Sequence, residues 1–170
     1  IQKPVTSYFE HNELTKLDFI IGVLRDRDVA LISEAGMPGL SDPGYRLVSA
    51  AIEAGIPVVP VPGPSALTTA LVVSGLPTDS FVFLGFLPRR RAARRKLLAE
   101  WRHERRTLIA FEAPHRLLDG LQDILDVLGD RPVAVARELT KRFEEVKSGP
   151  LSALIAHFSE REPRGEITLV

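Results

Sequence analysis

The feature that most constrains this fold is a repeated order of elements: a short apolar segment, a loop rich in glycine and proline, and then a helix. Val29–Ser33 is almost unbroken apolar and precedes the loop Glu34–Pro43 and a helix predicted over 44–55. Pro57–Val61 starts the same order again, with a helix predicted over 66–73. Apolar strands that alternate with helices are typical of a parallel sheet covered on both faces, so we predict an α/β fold.

The second half of the chain mixes short connections with long ones, which predicts a mixed sheet. The turn-forming segment Ser74–Ser80 separates the halves, and we predict two α/β domains, 1–77 and 78–170. Only two strands are clear before this turn, so we expect the mostly parallel N-terminal sheet to lack its first strand and helix. After it, we predict strands at Phe81–Phe86, Thr107–Glu112, Pro132–Ala136, Phe143–Gly149 and Gly165–Val170, and helices over 90–104, 114–128 and 151–158.

Composition excludes several classes of protein. With 170 residues, 45% of them hydrophobic, the chain can bury a core, and no apolar run approaches the roughly 20 residues that cross a bilayer. The absence of cysteine excludes disulfides, a Cys-ligated metal and a thiol nucleophile, and it fits a reducing compartment such as the cytoplasm. The histidines show no metal-ligand spacing, so we predict no metal site. Lys+Arg and Asp+Glu are 22 each, which argues against binding a polyanion through net charge alone.

Two loops are candidates for binding a ligand. Ser33–Gly44 (SEAGMPGLSDPG) directly follows a predicted strand, where ligands bind in open α/β sheets, and its glycines allow a ligand to approach the backbone. Val61–Leu67 (VPGPSAL) leads into a helix whose N-terminal amides suit a carboxylate or phosphate. The alternative is that both are plain connections capped by Asp42 and Ser65. Neither matches the dinucleotide or P-loop nucleotide fingerprint.

A cationic segment, Pro88–Arg106, is the clearest charge feature. It carries nine cations against the two carboxylates Glu100 and Glu104, and arginine predominates. Because the guanidinium fork pairs with phosphate oxygens, we predict a surface here that binds a phosphate-bearing polyanion, the alternative being a solvated helix balanced by acidic neighbours. The candidate phosphate-binding residues are Arg89, Arg90, Arg91, Arg94, Arg95 and Lys96.

Titratable side chains also follow two strands of the second half. Glu112 and His115 lie in the segment FEAPHRL, and Arg137 and Glu138 lie in ARELTK. Glu112 and Arg137 could pair across neighbouring strands, although surface ion pairs are common. Three of these residues are candidates for a general base: Glu112, His115 and Glu138.

Taken together, these segments resemble one known family. The motifs PGLSDPGYRLV, VPGPSA, GFLPR, APHRL and ARELTK occur in its order and spacing, from about Lys3 to Val170. It is the ribosomal small-subunit RNA ribose 2′-O-methyltransferase family, within the tetrapyrrole methylase superfamily. The resemblance implies two α/β domains with S-adenosylmethionine in the cleft between them, a homodimer, and a cytidine of the small ribosomal subunit as the target.

The resemblance implies that the partner of the cationic segment is RNA, and it also implies which residues hold the cofactor. They come from both ligand loops and from two strand ends of the second half: Ser33, Glu34, Ala35, Gly36, Met37, Ser41, Pro64, Ser65, Ala66, Phe111, Ala136 and Arg137.

This sequence departs from the family pattern in two ways. The family usually has Asp and Thr where this chain has Glu34 and Met37, and it begins with a further strand and a glycine-rich loop. Two alternatives therefore stay open: a methylase acting on a tetrapyrrole-like small molecule, and a non-catalytic RNA-binding module in this truncated form.

Overall fold

The structure, a computed structural model, describes residues 3–160 and 163–170. The chain divides into two compact units, Ile1–Ser65 and Ala66–Val170, called here the first and the second unit. The predicted boundary at 77/78 therefore falls inside the second unit. The reason is that helix Ala66–Val73 packs on the sheet formed by the later residues.

The first unit contains two helices, α1 (Glu13–Leu24) and α2 (Tyr45–Glu53). They pack on each other and bury Ile20 of α1 with Leu47 and Ala51 of α2. An ion pair between Arg46 Nε and Glu13 Oε1, 2.8 Å apart, links the same two helices. The second of these helices confirms the helix predicted over 44–55.

The two strands predicted in the first unit are not strands in the structure. Val29–Ser33 and Pro57–Val61 have extended or irregular backbone without strand pairing. A strand requires hydrogen bonds to a neighbour, and within residues 3–65 neither segment has one. Their apolar side chains are accordingly open to solvent, with Ile32, Val59 and Val61 each 80% exposed.

The second unit contains the remaining elements, close to their predicted bounds. The helices are α3 (Ala66–Val73), α4 (Arg91–Glu100), a 3₁₀ turn (Pro114–Arg116) continuing into α5 (Leu117–Leu128), and α6 (Leu151–Ser159). The strands are β1 (Phe81–Phe86), β2 (Thr107–Glu112), β3 (Pro132–Arg137), β4 (Glu145–Pro150) and β5 (Ile167–Leu169). In the described part of the chain no helix has the length and apolar character to cross a membrane.

The five strands form one mixed sheet in the order β1-β2-β5-β3-β4. β1 and β2 are parallel, and β5 lies antiparallel between β2 and β3. β4 pairs antiparallel with β3 at the far edge. The mixed sheet predicted for the second half is therefore confirmed, and β1, β2 and β3 all run in the same direction.

Both faces of this sheet are covered, as alternating side chains along the strands require. One face packs against α5 and α6 through residues such as Val133, Val135 and Leu121. The opposite face packs against α3 through Ile109, Ala134 and their neighbours. This two-sided burial fixes the register of the sheet and so fixes which residues emerge at its ends.

Candidate functional site

Three sequence motifs meet at one end of the second unit's sheet. Because β1, β2 and β3 run in the same direction, the segments that follow them all leave the sheet at the end where these strands have their carboxyl termini. These segments are Leu87–Arg90, Ala113–Arg116 and Glu138–Glu144, and together they are called here the carboxyl edge. In open α/β sheets this edge is where ligands bind. The sheet topology therefore places these motifs at strand ends, as expected.

Glu112, the last residue of β2, is buried at this edge. The residue is 1% exposed, its Oε1 accepts a hydrogen bond from the Ala113 N–H at 2.7 Å, and Arg116 Nη2 lies 2.7 Å from the same oxygen. Oε2 faces Gly120 and, like Nε and Nη1 of Arg116, has no hydrogen-bond partner among the described residues. Burial raises the pKa of the Glu112 carboxyl, although Ala113 and Arg116 oppose the rise. The arrangement joins the end of β2 to the 3₁₀ turn.

Glu138 occupies a different environment, in the loop that joins β3 to β4. Its backbone is in the left-handed region (φ 50°), which costs a non-glycine residue energy. Its Oε1 accepts hydrogen bonds from the Glu166 N–H and from Lys141 Nζ, both at 2.9 Å. These two bonds, led by the one from Glu166, lower the pKa of Glu138. The carboxylate therefore fastens the loop to the segment that precedes β5.

Gly165 makes this contact possible, and replacing it is expected to disrupt it. Its φ of +87° disfavours any side chain, and a Cβ there would overlap the Glu138 carboxyl. We expect Gly165→Ala to displace Glu138 and to lower the free energy of unfolding by about 2–3 kcal/mol, measured by urea denaturation. Gly75→Ala is the matched control, because Gly75 has φ +76° and open space around it. Equal losses in the two variants would show that the Glu138 contact contributes nothing.

Arg137 does not pair with Glu112, contrary to the predicted possibility. β5 lies between their strands, and both residues are register partners of its Ile167. Arg137 Nε instead donates to Glu145 Oε2 at 3.0 Å on the neighbouring strand β4. Phe111 and Ala136 occupy the next register position, both opposite Thr168, with Ala136 buried and Phe111 stacked edge-on against Phe83 and Phe86. Phe111, Ala136 and Arg137, the predicted cofactor residues on β2 and β3, thus lie at two adjacent register positions of the sheet.

Half of the predicted RNA-binding cations are bound by carboxylates of α5. Asp123 accepts from Arg91 Nε at 2.9 Å, from Arg94 Nε at 2.8 Å and from Arg95 Nη1 at 3.1 Å. Arg94 is only 3% exposed, so it is part of the packing between α4 and α5 rather than of a surface. Burial would raise the pKa of Asp123, but the three guanidinium hydrogen bonds outweigh it and the pKa is lowered.

The other predicted cations remain available at the surface. Arg89, Arg90 and Lys96 are exposed, and none of them forms an ion pair with another described residue. Arg89 and Arg90 belong to the carboxyl edge, because they follow β1. The cationic surface of this segment is therefore smaller than the sequence suggests, but it is not abolished.

The two ligand loops of the first unit lie side by side. A Cβ built on Gly36 would lie 3.7 Å from the Pro64 carbonyl oxygen, and one built on Gly63 would lie 3.8 Å from Met37 Cγ. The Ser33 hydroxyl donates to Asp42 Oδ2 at 2.7 Å, which ties together the two ends of the longer loop. Of the residues predicted to hold the cofactor, Glu34, Ala35 and Ser41 are exposed in this loop.

Gly44 explains how the longer loop turns back into α2. Its φ is +148°, and a Cβ there would lie 2.9 Å from Leu31 Cδ2 and 3.2 Å from the backbone of Gly39. Only glycine allows this close approach. Pro64 and Ser65 end the first unit, and Ala66 begins α3, so the shorter loop passes from one unit to the next.

Sequence reasoning missed two residues that organise α4 and the carboxyl edge. They are Asp123, which binds the arginines of α4, and Glu166, which binds Lys141. The position of Asp123 in the sequence does indicate burial. It lies three residues after Gly120, on the face of α5 that is buried with the apolar stripe. Within the described ranges, no group of three or more His, Asp or Glu side chains could hold a metal ion.

Comparison with known proteins gives the family. A sequence profile described as Tetrapyrrole (Corrin/Porphyrin) Methylases matches residues 3–155. A protein of Thermotoga maritima named ribosomal RNA small subunit methyltransferase I is 48% identical over 100% of this chain and 77% of its own length. Proteins of the same name from Halalkalibacterium halodurans and Micromonospora olivasterospora are 47% and 50% identical, but this chain spans only 59% and 55% of their length.

Solved structures give the same fold at much lower identity. The methyltransferase CobJ superposes with a TM-score of 0.63 and 15% identity, covering 93% of this chain and 70% of that one. A uroporphyrin-III C-methyltransferase from Thermus thermophilus, complexed with S-adenosylhomocysteine, superposes with a TM-score of 0.60 and 14% identity, covering 95% and 74%. These likenesses establish the fold alone. The sequence matches show that this chain belongs to the tetrapyrrole methylase family and, within it, to the group of ribosomal RNA small subunit methyltransferase I.

Proposed function

We propose that this chain belongs to an S-adenosylmethionine-dependent methyltransferase that methylates the ribose 2′-hydroxyl of a cytidine in small-subunit ribosomal RNA, acting as a homodimer. The observation that carries the proposal is the 47–50% identity, over the whole chain, to proteins named for methylation of this RNA. The exposed cations Arg89, Arg90 and Lys96 support it, because a phosphate backbone needs such partners.

The loops of the first unit fit the cofactor. S-adenosylmethionine offers hydroxyl, amino and carboxylate groups, and the longer loop offers an exposed carboxylate at Glu34 and glycine backbone free of side chains at Gly36 and Gly39. Gly63 of the shorter loop lies next to Met37 and leaves a second stretch of backbone uncovered. When bound, the cofactor supplies an activated methyl group. The role of the two loops is to hold and orient it.

Among the three candidate bases, we assign the role to His115. Glu112 is buried and paired with Arg116, and Glu138 is hydrogen-bonded to Glu166 and Lys141. His115 is exposed on the 3₁₀ turn of the carboxyl edge and forms no hydrogen bond to another described side chain. It is therefore free to take the proton from a ribose hydroxyl.

His115→Ala is expected to lower kcat for methyl transfer by about 10²-fold or more while KM for RNA changes little. The measurement is transfer of labelled methyl groups to unmodified small ribosomal subunits. Glu112→Gln is the comparison, for which we expect reduced stability and an unchanged pH profile of kcat. A kcat loss confined to Glu112→Gln would assign the base to Glu112 instead.

The function itself is tested by identifying the product. The protein is incubated with methyl-labelled cofactor and unmodified small subunits, and the digested RNA is analysed by mass spectrometry. Label on the 2′-oxygen of a cytidine is the expected result. Cofactor binding without label in RNA would overturn the RNA proposal and favour a small-molecule acceptor. No cofactor binding, with RNA binding intact, would favour a non-catalytic RNA-binding module.

A further inference from the structure

The loop Glu138–Glu144, called here the hairpin loop, presents an exposed aromatic ring at the carboxyl edge. It joins the antiparallel neighbours β3 and β4. Phe143 is 64% exposed, and the guanidinium carbon of Arg142 lies 5.5 Å from the centroid of its ring. This distance is within the range of a cation–π contact. A single exposed phenylalanine is ordinary on a protein surface, so the surroundings of this ring decide whether it has a role.

The hairpin loop holds this ring on a fixed backbone. Glu138 and Thr140 both have positive φ, 50° and 67°, a conformation that non-glycine residues adopt only when the surroundings impose it. Lys141 Nζ bridges Glu138 and Glu166 at 2.9 and 3.0 Å, and the Thr140 N–H donates to Glu144 Oε2. Leu139 anchors the base of the loop by packing on the core that α3 covers.

The charges around the ring are of both signs, and the one against the ring itself is a cation. Glu138 is bonded by the Glu166 N–H and by Lys141, and Glu144 accepts a hydrogen bond from the Thr140 N–H. Arg142, by contrast, forms no ion pair with any residue that the structure describes, and its cation lies against the phenylalanine ring. The tip of the hairpin loop therefore combines an apolar ring face with a cation that has no ion-pair partner among the described residues.

The position of the hairpin loop connects it to the other exposed cations. Arg89 and Arg90 follow β1 at the same edge, three strand positions away in the order β1-β2-β5-β3. Strands are spaced about 4.8 Å apart, so this separation is roughly 14 Å across the sheet. A short single strand of nucleic acid can bridge that distance, with its phosphates on the arginines and a base on the ring. Proteins that bind single strands combine cations and stacking aromatics in this way.

We infer that Phe143 and Arg142 form a stacking contact for an unpaired base of the RNA substrate, an inference that rests on the proposed RNA methylation. Stacking on an aromatic ring needs a base that has left its helix, so the partner is single-stranded RNA rather than a duplex. The strained, braced backbone holds the ring in place before the RNA arrives. This stacking contact does not depend on the hairpin loop also binding the cofactor.

The test measures binding of a fluorescein-labelled single-stranded oligocytidylate of about ten nucleotides, and of a duplex RNA, by fluorescence anisotropy at several salt concentrations. We expect Phe143→Ala to weaken single-strand binding about tenfold or more without changing its salt dependence. Phe143→Trp should restore the affinity. Arg142→Ala should reduce the slope of log affinity against log salt by about one, because a phosphate contact is lost.

Val72→Ala and Arg27→Ala are matched controls, since both side chains are exposed and neither belongs to the carboxyl edge or to the cationic segment. Wild-type affinity in Phe143→Ala, or an equal loss for duplex RNA, would overturn the inference. So would a change of oligomeric state in Phe143→Ala, measured by light scattering, with RNA affinity intact, because the ring would then contact protein. If Phe143-dependent binding is found but no methyl reaches RNA, the inference stands and the proposed function fails. If methyl groups reach RNA but Phe143→Ala binds RNA as tightly as the wild type, the proposed function stands and the inference fails.

Discussion

Replacing Asp123 with asparagine is expected to lower the free energy of unfolding by about 3–5 kcal/mol, because a buried guanidinium then loses its counter-charge. Arg94 is 3% exposed and Asp123 is 1% exposed as side chains, and their closest atoms, Nη2 and Oδ2, are 2.6 Å apart. Small domains have a total stability of roughly 5–15 kcal/mol, so a loss of this size is a large fraction of it. Urea denaturation followed by circular dichroism measures the change.

Asp126→Asn is the matched control for this prediction. Asp126 lies one turn further along α5, is one-third exposed and pairs with Arg95 at 2.7 Å. A partly exposed pair of this kind contributes about 0–1 kcal/mol. The double variant Arg94→Met with Asp123→Leu should recover most of the stability, since it removes both buried charges. A single Asp123→Asn variant as stable as Asp126→Asn would contradict the assignment.

The same carboxylate predicts a pH dependence. The pKa of Asp123 is lowered in the folded protein, against an ordinary value of about 3.9. The folded state then holds fewer protons than the unfolded state between these two values, so stability rises with pH in that interval. The contribution of Asp123 is fully present above pH about 4 and is lost as the pH falls through its folded pKa. Asp123→Asn should flatten this part of the acid unfolding curve.

How far the sequence predicts the fold depends on where hydrogen-bond partners lie. In the second unit every predicted strand pairs with a neighbour, so propensity, apolar pattern and topology agree, as at Thr107–Glu112. In the first unit Val29–Ser33 has the same apolar character but no pairing strand within residues 3–65. An apolar pattern shows that a segment is able to form a strand. A sheet also requires a second segment that pairs with it in register.

The candidate site was predictable in its location but not in its pairings. The motifs after β1, β2 and β3 could be placed at strand ends from turn chemistry alone. Their partners could not, because the insertion of β5 between β2 and β3 separates Glu112 from Arg137. A carboxylate 29 residues away in sequence likewise neutralises Arg94. Long-range charge pairs of this kind leave only a weak trace in one sequence, such as an aspartate beside an apolar helix stripe.

Reversing the three exposed cations of the Arg89–Lys96 segment is expected to have the largest effect on RNA binding. In the triple variant Arg89→Glu, Arg90→Glu and Lys96→Glu, the affinity for small-subunit RNA should fall by about two orders of magnitude at low salt. The slope of log affinity against log salt should decrease by about three, one for each lost phosphate contact. Filter binding across a range of salt concentrations measures both. These three side chains form no ion pairs with other described residues, so the fold should be retained.

The control must change net charge by the same amount elsewhere on the protein. Lys3, Arg25 and Arg27 are exposed residues of the first unit, and their replacement by glutamate removes the same six units of charge. If general electrostatic attraction alone brings RNA to the protein, the two triple variants will lose affinity equally. If the exposed cations after β1 and on α4 contact phosphates, only the first variant will lose the salt dependence. An unchanged slope in the first variant would exclude this segment as the RNA surface and would transfer that role to other cations of the chain.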